Sequence, residues 1–408
     1  NRQGEKSLRK RGVKIMKKLL VVLLALIMVL SMSACGGSST GGDTNEPIKI
    51  GWVGPLTGDQ AVWGKCESQT LEMLIEQKNE EGGLLGRKLE LVKYDTKGDV
   101  NETINVTKRL VSQDKVAAII GPNASAGAIA MAGVLTQAKT AGIATVATNP
   151  KVTVNDDGSL NEYSYRVCFI DPYQCSVAAS YAAKQLNFKN AAILYDVSSD
   201  YAQGFRQYFV ETFKKAGGTI VADEAFNSGD TDFKPQLTKI KKANPEVVLL
   251  PGMYKETALI ANQARDLGIT AVLMGGDGWP SEKLNEMAGK AIEGSYVVNH
   301  LDYNDPEAKP LQDAYRAKYG ADAGIELNAY MAHDAFLIVC AAIEKAGNAN
   351  PEDVAKALTE VQIKGLTGNI KLSKETHNPD GKEAAIQKYT YENGKANLIF
   401  VQKYSPEV

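Results

Sequence analysis

One ordered pattern occurs twice in this chain, and that repetition limits the fold more than any other feature. In the first half a strand signal, IKIGWV at 48–53, leads through a Gly-Pro-rich loop into a helix with Leu71, Leu74 and Ile75 on one face. Gly82-Gly83 stops that helix, and a strand at 88–94, a helix near 102–111, a short apolar strand and a turn follow. In the second half a strand at 191–195 precedes a helix whose Phe205, Phe209 and Phe213 recur at i, i+4 and i+8. Gly217-Gly218 ends it, and a strand at 219–223, a helix at 233–242, a strand at 247–250 and the turn Pro251-Gly252-Met253 complete the copy. Strand–helix alternation predicts parallel sheets covered by helices on both faces. Two copies predict two doubly wound α/β lobes with opposed strand-end crevices and a ligand held between them.

The stretch AAIIGPNASAG at 117–127 shows what such a crevice offers. Ala117 to Ile120 read as a short buried strand, Gly121-Pro122-Asn123 breaks it, and a helix reads from Ser125 onward. A helix opening at a strand's carboxyl end presents unpaired backbone N–H groups and the positive end of its dipole, a site suited to a carboxylate. Ser125 is placed to cap this helix, to touch the anion, or both.

Residues 1–34 hold eight Lys/Arg and one acid, and then an apolar run of twelve residues at 19–30. That length fits the core of a secretory signal better than a bilayer span. Met16-Lys17-Lys18 reads as the natural start, with 1–15 upstream of it. Small residues before Cys35 are similar to the lipobox of bacterial lipoproteins, which makes Cys35 the expected lipidated residue after cleavage. Met32 stands where Leu is more usual. The segment GGSSTGGDTN at 36–45 reads as a flexible tether. Without 1–34 the chain has 38 basic and 47 acidic residues, a formal charge of −9. An acidic exported protein is a poor partner for nucleic acid or for anionic lipid directly. No second apolar run is expected to cross a membrane, so the membrane is met only through the anchor.

Cys66, Cys168, Cys175 and Cys340 lack metal-ligand spacing and read as buried thiols; Cys168 and Cys175 are close enough in sequence to be bridged, but no disulfide is predicted. The order Ser125…Asp277…His300 mimics a hydrolase triad. However, Asn123 replaces the first Gly of a G-x-S-x-G elbow, and nothing in the sequence places His300 beside Ser125. No dinucleotide or nucleotide-phosphate loop occurs either, so no cofactor is implied and an enzyme is not expected.

The segments GWVGPLTGDQAVWG (51–64), GGLLGRKLELVKYD (82–95), GPNASAGAIA (121–130), ATNP (147–150), RVCFIDPYQ (166–174), TDFKPQLTKI (231–240) and GGDGW (275–279) together resemble the leucine/isoleucine/valine-binding proteins of bacterial ABC importers. The resemblance runs in order over nearly all of 47–405. It implies a type I periplasmic-binding fold: two doubly wound parallel-sheet lobes joined by a three-strand hinge, crossing near 167, 297 and 383. Lobe 1 would comprise 47–167 plus 298–382, and lobe 2 168–297 plus 383–408, after a signal segment (1–34) and the lipidated Cys35 with its tether (35–46). It implies capture of an amino acid, with Ser125 and Thr148 on its charged head, backbone groups near Val146 and Ala147, and Asp277 facing the ammonium. Trp63, Tyr201 and Met253 would line the side-chain pocket, although relatives commonly have Tyr at the Met253 position. The implied partner is an ABC permease with a separate ATPase, and the protein is expected to be a monomer. Another small polar ligand, an aromatic amino acid or an amide, fits the same architecture; an α/β hydrolase is the alternative of a different class.

Overall fold

A computed structural model describes residues 46–406; the apolar run, Cys35 and the tether lie outside the described residues. Strands β1 (Ile48–Gly54), β2 (Leu89–Asp95), β3 (Ala118–Ile120), β4 (Gly142–Ala144) and β5 (Ser164–Arg166) form one sheet in the order β2-β1-β3-β4-β5, all parallel. Strands β6 (Asn190–Asp196), β7 (Thr219–Phe226), β8 (Val247–Leu249), β9 (Val272–Gly275) and β10 (Tyr296–Asn299) repeat that order as β7-β6-β8-β9-β10, again all parallel. The repeat read in the sequence is therefore a repeat of topology.

The second sheet differs from a purely parallel one. After the separate hairpin β11 (Gln362–Gly365) and β12 (Gly368–Lys371), strand β13 (Ala384–Glu392) pairs antiparallel with β10, and β14 (Lys395–Tyr404) pairs antiparallel with β13 at the sheet edge. A two-residue link at Asn393-Gly394, both at positive φ, permits that tight return. The chain passes between the sheets after Arg166, after Asn299 and before Ala384. The second passage lies beyond the expected 297, because β10 pairs with β13 through Asn299.

Helices cover both sheets as the apolar spacing requires. In the first lobe they are α1 (Ala61–Glu80), α2 (Val100–Arg109) and α3 (Ser125–Ala138), and in the second α4 (Asp171–Ser180), α5 (Asp200–Lys215), α6 (Lys234–Ala243), α7 (Tyr254–Asp266) and α8 (Glu282–Ala288). On α5, Phe205, Phe209 and Phe213 are fully buried, while Ser199 caps its start by accepting from the Ala202 N–H. Gly83 ends the α1 turn at φ +80°, where a Cβ would lie 2.0 Å from the Arg87 carbonyl oxygen; only glycine fits.

The later chain adds α9 (Lys309–Tyr319), α10 (Leu327–Ala346) and α11 (Pro351–Ala357) to the first lobe. Contrary to the expectation of no second apolar run, α10 is long and apolar enough to cross a membrane by length and composition. Its Tyr330, Met331, Phe336, Ile338 and Val339 are instead packed in the first lobe's core. All four described cysteines are buried and free, so Cys168 and Cys175 are not bridged.

Candidate ligand cleft between the lobes

Both lobes send their strand-end loops to one cleft, lined from the first lobe by Gln60, Trp63, Asn123, Ala124, Ser125, Val146 and Asn328. Tyr201, Met253, Asp277 and Gly278 line it from the second. The cleft thus lies outside the carboxyl ends of β1 and β3 on one side and of β6 and β8 on the other. These are the points where each 2-1-3-4-5 order reverses.

Local sequence explains how each side chain arrives. After β3, Gly121 turns at φ +96°, where a Cβ would stand 2.3 Å from the Val53 carbonyl oxygen, and α3 then begins. Ser125 is the first residue of α3 and does not cap it: the N-cap position is Ala124, with no side-chain hydrogen bond. The Ser125 hydroxyl instead accepts from the Asn149 N–H at 3.3 Å, which ties the α3 start to the loop after β4.

In the second lobe, Trp279 anchors the turn after β9. It is fully buried, and its Nε1–H donates to the Leu250 carbonyl at 2.8 Å. Gly276 is required by close approach, since a Cβ there would stand 2.7 Å from the Tyr201 hydroxyl and 2.9 Å from Gln174 Nε2. Asp277, between these fixed neighbours, is 5 % exposed and faces the cleft.

The structure brings together Ser125, Val146, Trp63, Tyr201, Met253 and Asp277. Ala147 and Thr148 are fully buried and do not line the cleft. The Ala147 carbonyl accepts from Arg166 Nη1 at 2.7 Å, and the Thr148 carbonyl accepts from the Asp171 N–H at 2.9 Å. Sequence reading passed over Gln60, Asn328 and, behind the cleft, Asp171, and weighed Asn123 and His300 only against a hydrolase. Asp171 is fully buried with neither oxygen hydrogen-bonded; Thr148 Oγ1, Gln174 Oε1 and the Tyr201 hydroxyl are likewise buried without a partner. Burial pushes the Asp171 carboxyl up to about 8, with the Asp277 charge adding to the rise. The same burial, with both carboxylates near, drives the Tyr201 phenol well above its ordinary value.

His300 Nε2 lies 3.0 Å from Asp277 Oδ2. A hydrolase triad needs that imidazole to face the serine. Here one ring nitrogen is engaged by Asp277, the other has no partner, and the Ser125 hydroxyl is held by Asn149.

Asn328 is held by a buried acid. Glu67 accepts from Asn328 Nδ2 at 2.9 Å, Thr145 Oγ1 at 2.6 Å and Trp52 Nε1 at 3.1 Å, and burial raises its carboxyl to about 7. Contacts away from the cleft lining join the lobes. Tyr254 donates to the Asp59 carbonyl at 2.6 Å, Asn149 Nδ2 donates to the Asp200 carbonyl at 2.8 Å, and Lys255 pairs with Asp59. Glu326 accepts from Ser281 at 3.3 Å, and burial pushes it up to about 8. Trp63, itself in the cleft lining, also meets the second lobe, edge-on against Tyr254 at 5.2 Å.

These raised acids have a stability consequence. Glu67, Asp171 and Glu326 keep their protons in the folded chain to about 7 or 8, whereas their ordinary values are 4.5, 3.8 and 4.5. Between those limits the folded state binds more protons than the unfolded one, so stability falls as pH rises. The depressed His300 and His377 act below 6.5, and Lys382, lowered to about 8, acts above. From pH 6.5 to 8 the unfolding free energy should therefore drop, at a limiting slope of roughly 1.4 kcal/mol per unit for each carboxyl. Urea titrations at the two pH values test this, and Glu326→Gln should flatten the drop; an unchanged slope would mean that Glu326 titrates normally.

The periplasmic binding protein family matches residues 47–395. The chain is 31% identical over 356 residues to a leucine-, isoleucine-, valine-, threonine- and alanine-binding protein of Pseudomonas aeruginosa, covering 87% of this chain and 92% of that one. Among solved structures, it is similar to the leucine-binding protein LivK of Thermotoga maritima, with TM-score 0.79 and 30% identity over 88% of this chain and 99% of that one. The branched-chain amino acid binding protein LivJ of Streptococcus pneumoniae, solved with isoleucine, gives TM-score 0.78 and 32% identity over 88% and 100%. With the twin sheets, the three crossings and the opposed strand-end loops, these matches identify the chain as a periplasmic binding protein, a non-enzymatic, extracytoplasmic solute-binding component of an ABC transporter.

Proposed function

We propose that the cleft captures an amino acid, a branched-chain aliphatic one first, and that the closed form delivers it to an ABC permease. The observation that carries this reading is the pairing of opposite electrostatics across the cleft: the α3 N-terminus with Ser125 on one lobe, and Asp277 on the other. A zwitterion gives up much hydration on burial, so each end needs a partner of opposite sign. In this reading Ser125 and the α3 N–H groups take the carboxylate, and Asp277 takes the ammonium. Thr148, Ala147 and Val146 support the head from the loop after β4. Trp63, Tyr201 and Met253 offer apolar surface to the side chain. The Streptococcus pneumoniae relative, solved with isoleucine, supports the ligand class. One methylene separates leucine from valine and is worth only about 1–3 kcal/mol, so several aliphatic amino acids would be accepted.

The remaining parts of the proposal follow the chain's organisation. Cys35 is the lipid anchor after removal of 1–34, residues 35–46 are the tether, and the two lobes comprise 47–167 with 300–382 and 168–299 with 383–408. The protein acts as a monomer at the outer face of the cell membrane, without nucleic acid or cofactor, and a separate subunit supplies ATP hydrolysis.

A thermal-shift screen against the common amino acids and several amides tests the proposal, after unfolding and refolding to strip bound ligand. Ligand at about 100 times its dissociation constant adds about 2.7 kcal/mol, enough to move the melting temperature. Leucine, isoleucine or valine should raise it. A rise with aromatic amino acids or amides alone would move the substrate class, and no rise with any of them would sink the reading.

A further inference from the structure

We infer that His300 is a positioning residue for ligand capture: its Nε2–H donates to Asp277 Oδ2 and leaves the other carboxylate oxygen for the ligand. The role in capture rests on the amino-acid reading above, whereas the pair itself follows from the fold.

Strands β9 and β10 are parallel neighbours with Tyr296 opposite Met274 and Val297 opposite Gly275. Residues just past their ends therefore meet, which brings His300 to Asp277 with Nε2–Oδ2 at 3.0 Å. Neither side chain has appreciable exposure, at 0 % and 2 %. The ring is also fixed on its flat side, stacked on Phe169 with centroids 3.6 Å apart and planes 15° from parallel. Phe169 belongs to the first crossing between the lobes and His300 opens the second. The acid that faces the cleft is thereby tied to the frame on which the lobes are joined.

The two ring nitrogens decide the protonation state on geometry. Nδ1 is buried and has no hydrogen-bond partner. An imidazole protonated at Nε2 satisfies Asp277 and leaves only a lone pair unmatched. One protonated at Nδ1 would bury an unpaired N–H and turn a lone pair toward the carboxylate; an imidazolium would bury the same unpaired N–H. The groups facing the ring are Asp277 beyond β9, Lys382 ahead of β13, Asp334 on α10 and the Phe169 ring; burial, joined by the Lys382 charge, outweighs the two aspartates and holds the imidazole below its ordinary value. A neutral donor serves capture better than a cation, because a cation beside Asp277 would compete with the ligand's ammonium.

Two measurements test the assignment. The protein has three histidines, His300, His333 and His377, so nitrogen-15 spectra resolve them once His300→Gln identifies one set of signals. At pH 7 His300 should be the neutral Nε2–H tautomer with a protected proton, and Asp277→Ala should abolish the protection. A cationic ring or an Nδ1–H tautomer would overturn the inference, and neither observation needs a ligand. In calorimetry with leucine as the probe, His300→Gln, whose amide can reach the Nε2 position, should bind within about threefold of wild type. His300→Leu should bind at least tenfold more weakly while remaining folded by circular dichroism. Equal binding by His300→Leu would refute the positioning role; equal weakness of both variants would assign the effect to ring packing instead of the donor. If wild-type protein binds no leucine, the amino acid that raises its melting temperature most replaces leucine as the probe; if none does, the amino-acid reading fails and the spectra alone decide the pair.

Discussion

Asp277→Ala should reduce affinity for the captured amino acid by at least 100-fold, with the protein still folded. Removing one member of a desolvated charge pair costs about 2–5 kcal/mol, because the partner left behind is buried without compensation. Here two partners are left: the ligand's ammonium and the His300 Nε2–H, 3.0 Å from Asp277. Asp277→Asn separates them. The amide oxygen can still accept from His300, while the amide N–H₂ would confront the ammonium, so this variant should lose as much affinity yet melt close to wild type. Calorimetry paired with thermal melts reads both quantities. Near-wild-type affinity in Asp277→Asn would show that the acid's charge is not what holds the ligand.

Arg166→Met should lower folding stability by about 1–3 kcal/mol for each buried acceptor left without its donor. Arg166 is fully buried at the end of β5. Its Nη1 donates to the Ala147 carbonyl at 2.7 Å, and its Nη2 to the Asn149 and Pro150 carbonyls at 2.8 and 3.4 Å and to Thr153 Oγ1 at 3.3 Å. One guanidinium thus closes the loop carrying Ala147 and Thr148, and methionine would fill the space without pairing those oxygens. It would also remove the positive charge that opposes the rise of the buried Asp171 carboxyl. Urea denaturation measures the loss; a cost below about 1 kcal/mol would mean that the loop is held by its own turns.

The twin sheets were legible because each lobe marks its boundaries with residues of restricted meaning. Gly82-Gly83, Gly217-Gly218 and the Phe205–Phe209–Phe213 face need only local spacing to be read. The antiparallel pair β13 and β14 was not foreseen, because the sheet edge it joins is made by strands far away in the chain. The cleft residues on strand-end loops followed from the same grammar. The cap at α3 did not, since Ala124 rather than Ser125 takes the extended conformation there. Thr148 and Ala147 sit behind the cleft because Arg166 and Asp171 draw their carbonyls inward. The His300–Asp277 pair required strand order as well as position: each residue follows a strand end, and only adjacency of β9 and β10 makes them neighbours.

The bonds that tie one lobe to the other lie on residues distinct from those lining the cleft. Tyr254 and Asn149 reach across to main-chain carbonyls of Asp59 and Asp200, acceptors that every amino acid carries, so the residue types at 59 and 200 can drift without losing them. Apparent affinity is the intrinsic affinity scaled by the fraction of molecules in the binding-competent arrangement. A lineage facing scarcer nutrients could therefore strengthen uptake at the rim while the proposed side-chain pocket of Trp63, Tyr201 and Met253 stayed as it was.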